Sequence, residues 1–177
     1  IQGAKEVLDN FQNTEENFIS DGAALLLTTE AIHVNETVFI PYIQKLSFLP
    51  SWYVQLFAES LGKNGKGIMP IKAMGSVDQH SVFQLFLDGP NNKSFTILTE
   101  DIKNSGNHII DDICAFKDIE YLQGHTLGDV IQAQQEAIIY ALKSRHRPIR
   151  EIQCKTYSDR ALGQIMMHFI LEVILLG

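Results

Sequence analysis

Apolar residues recur at helical spacing in several stretches of the chain, and these stretches alternate with short runs rich in β-branched and aromatic residues. Helices are predicted at 4–11, 22–33, 127–144 and 159–176, with Asp21, Thr126 and either Ser158 or Asp159 as their caps. Strands are predicted at 37–43, with an end near Pro41, and at 94–99 and 148–155. Strands that alternate with helices imply a three-layer, doubly wound α/β fold, with a mostly parallel sheet and helices on both faces.

The stretch 50–90 holds two helix-like segments, separated by a glycine- and lysine-rich loop and the apolar run 68–74. In the first segment, Gln55 and Glu59 lie one turn apart on a different face from the apolar residues. Gly62 is predicted to cap this helix, so Glu59 falls in its last turn, where the carbonyl ends disfavour a negative charge. Such a carboxylate suits the role of a group that accepts and returns a proton near neutral pH.

In the second segment, Asp78 is predicted to be the N-cap, and Val82, Leu85 and Phe86 supply an apolar face. His80 then falls in the first turn, where exposed amide donors favour the neutral ring. Because a neutral imidazole both donates and accepts hydrogen bonds, His80 is a second candidate for moving protons.

Two other constellations are weaker candidates. The loop 62–67 contains three glycines and two lysines, but it lacks the order GxxxxGK[ST] and does not run from a strand into a helix. A flexible basic turn is the better interpretation. A hydrolase triad of Asp78, His80 and Ser81 is disfavoured, because residues so close in sequence on one helix rarely attain the geometry and no nucleophile elbow is present.

The remaining histidines have no metal-ligand spacing, so no metal site is expected; they are His33, His108, His125, His146 and His168. His168 is predicted to make a structural contact with Glu172, one turn further along. The two cysteines, Cys114 and Cys154, are too few for a disulfide framework. They are expected to be buried thiols in a reducing cytoplasm.

The composition is that of a soluble globular protein, with 177 residues, of which 45% are hydrophobic and 20% are charged. A net charge of −7 argues against a nucleic-acid partner, since the basic residues around Pro148 form only a local cluster. The apolar segment 165–176 is too short to cross a bilayer, and the N-terminus shows no leader pattern. These features predict a cytoplasmic protein without a membrane partner.

Five motifs stand out along the chain: QLFAESLGK at 55–63, GSVDQHS at 75–81, LDGP at 87–90, YLQGHTLGD at 121–129 and LGQIMMHFILE at 162–172. Together they resemble glucose-6-phosphate isomerase in the form typical of many bacteria. The resemblance covers nearly the whole chain, and the motifs occur in the family's order. It implies a flavodoxin-like sugar-isomerase (SIS) domain whose ligands gather at the carboxyl ends of the strands.

The resemblance also implies a role for each candidate residue. Glu59 corresponds to the base that moves a proton between C1 and C2 of glucose 6-phosphate and fructose 6-phosphate, in glycolysis and gluconeogenesis. His80 corresponds to the histidine that helps to open the sugar ring, which a neighbouring subunit of a homodimer lends to the site. Gln55 corresponds to a glutamine lining the sugar pocket. The family's chemistry needs no cofactor and no metal.

The chain also departs from the family's pattern. Residues 1–177 correspond to a single domain, the second SIS domain, and lack the N-terminal lobe with its phosphate site and Gly-Gly-Arg motif. The C-terminal segment with its lysine is also missing, and neither Lys143 nor Lys155 matches that lysine. The chain alone is therefore expected to be inactive or nearly so. The alternatives are a non-catalytic sugar-phosphate-binding SIS module and a structural dimerisation unit built on the apolar last helix.

Overall fold

The computed structural model describes residues 1–14, 18–110 and 117–177. Within these residues there are four strands, β1 to β4, at Glu36–Pro41, Met69–Lys72, Lys93–Glu100 and Ile149–Cys154. The same residues form six α-helices, α1 to α6, at Gln2–Asn13, Phe18–Ala31, Leu49–Leu61, Phe83–Asp88, Leu127–Ser144 and Asp159–Leu176. Short 3-10 helices lie at Gln44–Leu46 and Lys117–Leu122.

The four strands form one parallel sheet in the order β2-β1-β3-β4. Glu36 at the start of β1 is paired with Met69 of β2 on one side and with Lys93 of β3 on the other. The chain therefore leaves β1 in one direction and returns past it to β3, which places the topological switch point between these two strands. This topology confirms the predicted doubly wound α/β fold.

Helices cover both faces of the sheet. Successive side chains of β1 point to opposite faces, so each face contributes to a separate core. On one face Phe39 packs with Tyr53 and Phe57 of α3 and with Phe169 of α6. The rings of Phe39 and Tyr53 lie 4.9 Å apart between centroids. On the other face the sheet packs against α4 and α5, with a core of Val38, Ile40, Phe95, Ile97, Phe86, Ile138 and Leu142.

The predicted caps of the last two long helices are confirmed. The Thr126 hydroxyl accepts a hydrogen bond from the Asp129 amide at 3.2 Å, and the Asp129 carboxylate accepts one from the Thr126 amide at 2.8 Å. Ser158, rather than Asp159, caps α6, because its hydroxyl accepts from the Ala161 amide at 3.1 Å. Both caps satisfy amide donors that would otherwise lack partners.

One sequence-based prediction about a helix boundary needs correction in the N-terminal half. Asp21 lies in the first turn of α2 and is not its cap, because α2 begins at Phe18 and Ile19 already belongs to the buried face. The first strand ends at Pro41, which agrees with its predicted end. No helix in the described ranges is both long and apolar enough to cross a membrane.

A buried ion pair joins β4 to α6. Arg150 donates to both carboxylate oxygens of Glu172, which is completely buried, and its Nε donates to the Thr96 hydroxyl at 2.8 Å. The pairing of Glu172 with Arg150 corrects the prediction that its carboxylate pairs with His168. Burial lowers the pKa of His168, whose Nε2 has no hydrogen-bond partner among the described residues.

Cys154 is buried, as predicted. It is the last residue of β4 and packs with the core that α3 and α6 form on one face of the sheet. Burial raises the pKa of its thiol, so the thiol form is favoured over the thiolate. Cys114 lies outside the described residues.

Candidate functional site

The outer face of α3 carries the first two candidate residues. Tyr53 and Phe57 point into the core, which leaves Gln55 and Glu59 exposed on another face. The Gln55 side-chain amide donates to one Glu59 carboxylate oxygen at 3.0 Å. The pair follows from helical spacing, since residues four apart lie one turn above each other. As predicted, Gly62 follows the helix end.

Two contacts fix the direction of α3 relative to the sheet. Lys72, at the carboxyl end of β2, donates to the Ser51 hydroxyl in the first turn of α3 at 3.3 Å. Gly67 precedes β2 by two residues, and a Cβ there would lie 3.0 Å from the carbonyl oxygen of Leu61, the last residue of α3. Helix α3 therefore runs antiparallel to β2, and Glu59 lies near the amino edge of the sheet.

His80 lies in the segment 73–82, which we call the histidine loop, between β2 and α4. Asp78 does not cap a helix here; its carboxylate folds back to accept the Met74 amide at 2.6 Å. The loop consists of turns, and α4 begins only at Phe83, so the predicted position of His80 in a first helical turn is wrong. The imidazole is exposed on a turn and not at the amide end of a helix.

The histidine loop lies at the carboxyl edge of the sheet. The Gly75 amide donates to the carbonyl of Pro41, the last residue of β1, at 2.9 Å. Glu59 and His80 therefore lie at opposite edges, with the length of β2, about 10 Å at roughly 3.3 Å per residue, between them. One chain brings Gln55 and Glu59 together but does not bring His80 to them.

Two cavities lie in the structure, and neither is lined by Glu59 or His80. One of about 570 Å³ adjoins the histidine loop and the first half of α5, where its lining includes Gln79 and Gln134. The other, of about 440 Å³, lies at the carboxyl end of β4. Its lining includes Lys155, Arg160 and His168, and the Arg160 Nε donates to the Glu6 carboxylate at 2.8 Å. Among the described residues, no cluster of three histidine, cysteine or acidic side chains is arranged to hold a metal ion.

Sequence comparison identifies relatives across the chain, although no family model matches it. A glucose-6-phosphate isomerase of Rubrobacter xylanophilus is 35% identical over 151 residues, which are 81% of this chain and 33% of that protein. One of Methanocaldococcus jannaschii is 31% identical over 182 residues, which cover all of this chain and 44% of that protein. The chain thus spans between about a third and a little under half of the length of these curated relatives.

Solved structures agree with this result. The crystal structure of a hypothetical protein from Thermus thermophilus superposes with a TM-score of 0.89 at 30% identity, over 99% of this chain and 43% of that one. A glucose-6-phosphate isomerase from Chlamydia trachomatis gives a TM-score of 0.77 at 19% identity, over 99% of this chain and 37% of that one, and so shows the fold alone. Over the part of those relatives that it matches, the chain belongs to the glucose-6-phosphate isomerase family.

Proposed function

We propose that this chain is the second SIS domain of a glucose-6-phosphate isomerase and that Glu59 is the catalytic base. The observation that carries the proposal is the hydrogen-bonded Gln55–Glu59 pair on the exposed face of α3. The enzyme interconverts glucose 6-phosphate and fructose 6-phosphate, a reaction of glycolysis and gluconeogenesis, and uses no cofactor. The named relatives are glucose-6-phosphate isomerases.

The reaction needs one base that reaches two adjacent carbons. The Glu59 carboxylate takes the proton from C2 of the open-chain aldose, which leaves an enediolate with its negative charge on O1. The proton of the C2 hydroxyl moves to O1, and the Glu59 carboxylic acid then returns a proton to C1, which gives the ketose with its carbonyl at C2. Gln55 binds one carboxylate oxygen, so the other oxygen is free to face the substrate. Exposure of Glu59 at the end of α3 supports access to a sugar.

Ring opening needs a second group, and His80 is proposed for it. The imidazole donates a proton to the ring oxygen while a water molecule takes the proton of the C1 hydroxyl, so the C1–O5 bond breaks and a carbonyl forms at C1. Since Glu59 and His80 lie at opposite edges of one sheet, we propose that His80 serves the Glu59 of a second copy in a homodimer. This arrangement makes each site composite.

A subunit-mixing experiment tests the composite site. Glu59→Gln and His80→Ala should each be inactive, whereas a mixture of the two, dissociated and reassociated, contains dimers with one intact site. With random 1:1 mixing, half of the dimers are mixed and each has one working site of two, so activity should recover to about a quarter of the parent value. No recovery, with mixed dimers demonstrated by mass spectrometry, would contradict a site shared between subunits.

Deuterium wash-in at C1 and C2 tests the base directly in the complete protein. Glu59→Gln should reduce wash-in by about a hundredfold or more, because a positioned general base contributes roughly 10² to 10⁴ in rate. Glu136→Gln is the matched control, since Glu136 accepts the same kind of hydrogen bond at 2.9 Å from Gln132, four residues earlier on the exposed face of α5. Undiminished wash-in in Glu59→Gln would refute the assignment.

A non-catalytic sugar-phosphate-binding module is the second candidate. It is favoured by the cavity at the end of β4, whose lining includes Lys155 and Arg160 in a chain of net charge −7, with Arg160 also donating to the Glu6 carboxylate at 2.8 Å. Calorimetric titration with glucose 6-phosphate separates the two. The binding-module hypothesis would replace the isomerase hypothesis if two results were found together. The protein would bind glucose 6-phosphate in a way that Lys155→Ala abolishes, and it would not exchange the C1 and C2 protons with solvent.

A further inference from the structure

The histidine loop has little regular structure of its own. It is closed by turn hydrogen bonds, such as the one from the Val82 amide to the Asp78 carbonyl at 3.0 Å. Ser76 has a φ of 67°, in the left-handed region that non-glycine residues rarely adopt. Such a conformation persists only where surrounding groups hold it in place. The position of His80 therefore depends on contacts from outside the loop.

Helix α5 supplies hydrogen bonds of this kind through Gln134. Its side-chain oxygen accepts a hydrogen bond from the Ser76 hydroxyl at 2.6 Å. Its main-chain carbonyl accepts one from the Gln79 side chain at 3.4 Å. Ser76 lies four residues before His80, and Gln79 directly precedes His80. Gln134 therefore holds the loop segment that leads to the imidazole.

The end of β1 is joined to the same point. The Tyr42 hydroxyl donates to the Gln134 carbonyl at 3.5 Å, and Gly75 lies directly on the Tyr42 ring. A Cβ at Gly75 would come within 2.5 Å of that ring, so only glycine allows this approach. Burial raises the pKa of Tyr42, which keeps its hydroxyl protonated as a donor. Helix α5, strand β1 and the loop thus meet at Gln134.

We infer that Gln134 is a positioning residue for ring opening, which acts by holding Ser76 so that His80 is presented at a fixed point of the surface. This inference rests on the proposed function, because it assigns the held imidazole to the sugar ring oxygen. The reason is geometric. His80 is exposed and outside any helix, and proton transfer is sensitive to small displacements, with a shift of about 1 Å costing roughly a hundredfold in rate.

The test compares Gln134→Ala with Gln134→Glu in the complete protein. Glutamate keeps an oxygen that accepts from Ser76, whereas alanine does not. Ring opening is measured as the anomerisation rate of glucose 6-phosphate by NMR exchange spectroscopy. Alanine should lower this rate about tenfold to a hundredfold, and glutamate should restore most of it. Gln132→Ala is the control, because Gln132 lies on the same helix and its hydrogen bonds go to Ile102, Gln135 and Glu136 rather than to the loop.

Ser76→Ala removes the same hydrogen bond from the loop side and serves as a second variant if Gln134→Ala unfolds. The double variant should lose no more than either single variant, because both changes break one interaction. Anomerisation within twofold of the parent in Gln134→Ala, or multiplied losses in the double variant, would overturn the inference while leaving the isomerase intact. A parent protein that neither anomerises nor exchanges the C1/C2 protons refutes the proposed function, and this inference with it.

Discussion

The buried pair of Arg150 and Glu172 gives a sharp prediction about stability. The Glu172 side chain is 0% exposed and that of Arg150 is 13% exposed, so both charges have lost most of their hydration. Desolvation of each ion costs several kcal/mol, and their mutual attraction offsets that cost only while both are present. Glu172→Gln keeps the shape of the side chain but leaves the guanidinium without a counter-charge.

The expected loss is about 3–5 kcal/mol in the free energy of unfolding, the range found when one partner of a buried pair is removed. That is a large part of the roughly 5–15 kcal/mol by which a domain is stable. Replacement of the whole polar group by apolar residues of similar volume should cost far less. The triple variant Arg150→Met, Glu172→Leu and Thr96→Val also removes the hydroxyl that Arg150 Nε now contacts.

Urea unfolding, followed by the fluorescence of the single tryptophan and by far-UV circular dichroism, measures these changes. Trp52 is suited as a probe because it packs against the core that contains Phe169, next to Arg150. Arg145→Met is the control, since its ion pair with Asp88 is exposed and should be worth less than about 1 kcal/mol. A loss below about 1 kcal/mol in Glu172→Gln would refute the reasoning.

Two further predictions concern pH. Burial lowers the pKa of His168 below its usual 6.5, so the unfolded chain binds this proton first, and stability should fall as the pH drops below about 6.5. His168→Gln should flatten the dependence of the free energy of unfolding, measured with urea, on pH below about 6.5. An unchanged slope in this variant would contradict the role given to His168. Hydrogen bonds from the Thr126 and Asn104 amides lower the pKa of Asp129 from 3.8 to about 2, so its contribution is present above 3.8 and is lost as the pH falls through about 2. Asp129→Asn should therefore lower the melting temperature at pH 7 more than at pH 2, and equal losses at both pH values would exclude this cause.

The sequence determined the features that depend on neighbours within one or two turns. Helical spacing placed Gln55 and Glu59 together, and their side chains are indeed hydrogen-bonded. Thr126 was predicted as one cap, and Ser158 or Asp159 as the other, because a cap needs only its own side-chain oxygen and amides two or three residues later. The alternation of strands and helices likewise predicted a parallel, doubly wound sheet.

Local rules failed where the side chain of one residue had two possible local partners. Asp78 carries a carboxylate suited to cap a helix, but the same carboxylate also reaches the Met74 amide, four residues earlier. The structure adopts the second arrangement, in which Gly75 packs on Tyr42 and the loop contacts α5. His80 consequently lies on a turn, and nothing in the spacing of its neighbours distinguished these outcomes.

Only the tertiary structure decided which distant residues meet. The Arg150–Glu172 pair spans 22 residues, and Gln134 lies 58 residues from Ser76, so each contact depends on strand register and helix packing. The same applies to Glu59 and His80, which adjoin one strand in sequence but occupy opposite edges because α3 runs antiparallel to β2. Hydrophobic periodicity and capping act over a few residues, whereas these distances result from the packing of whole helices on the sheet.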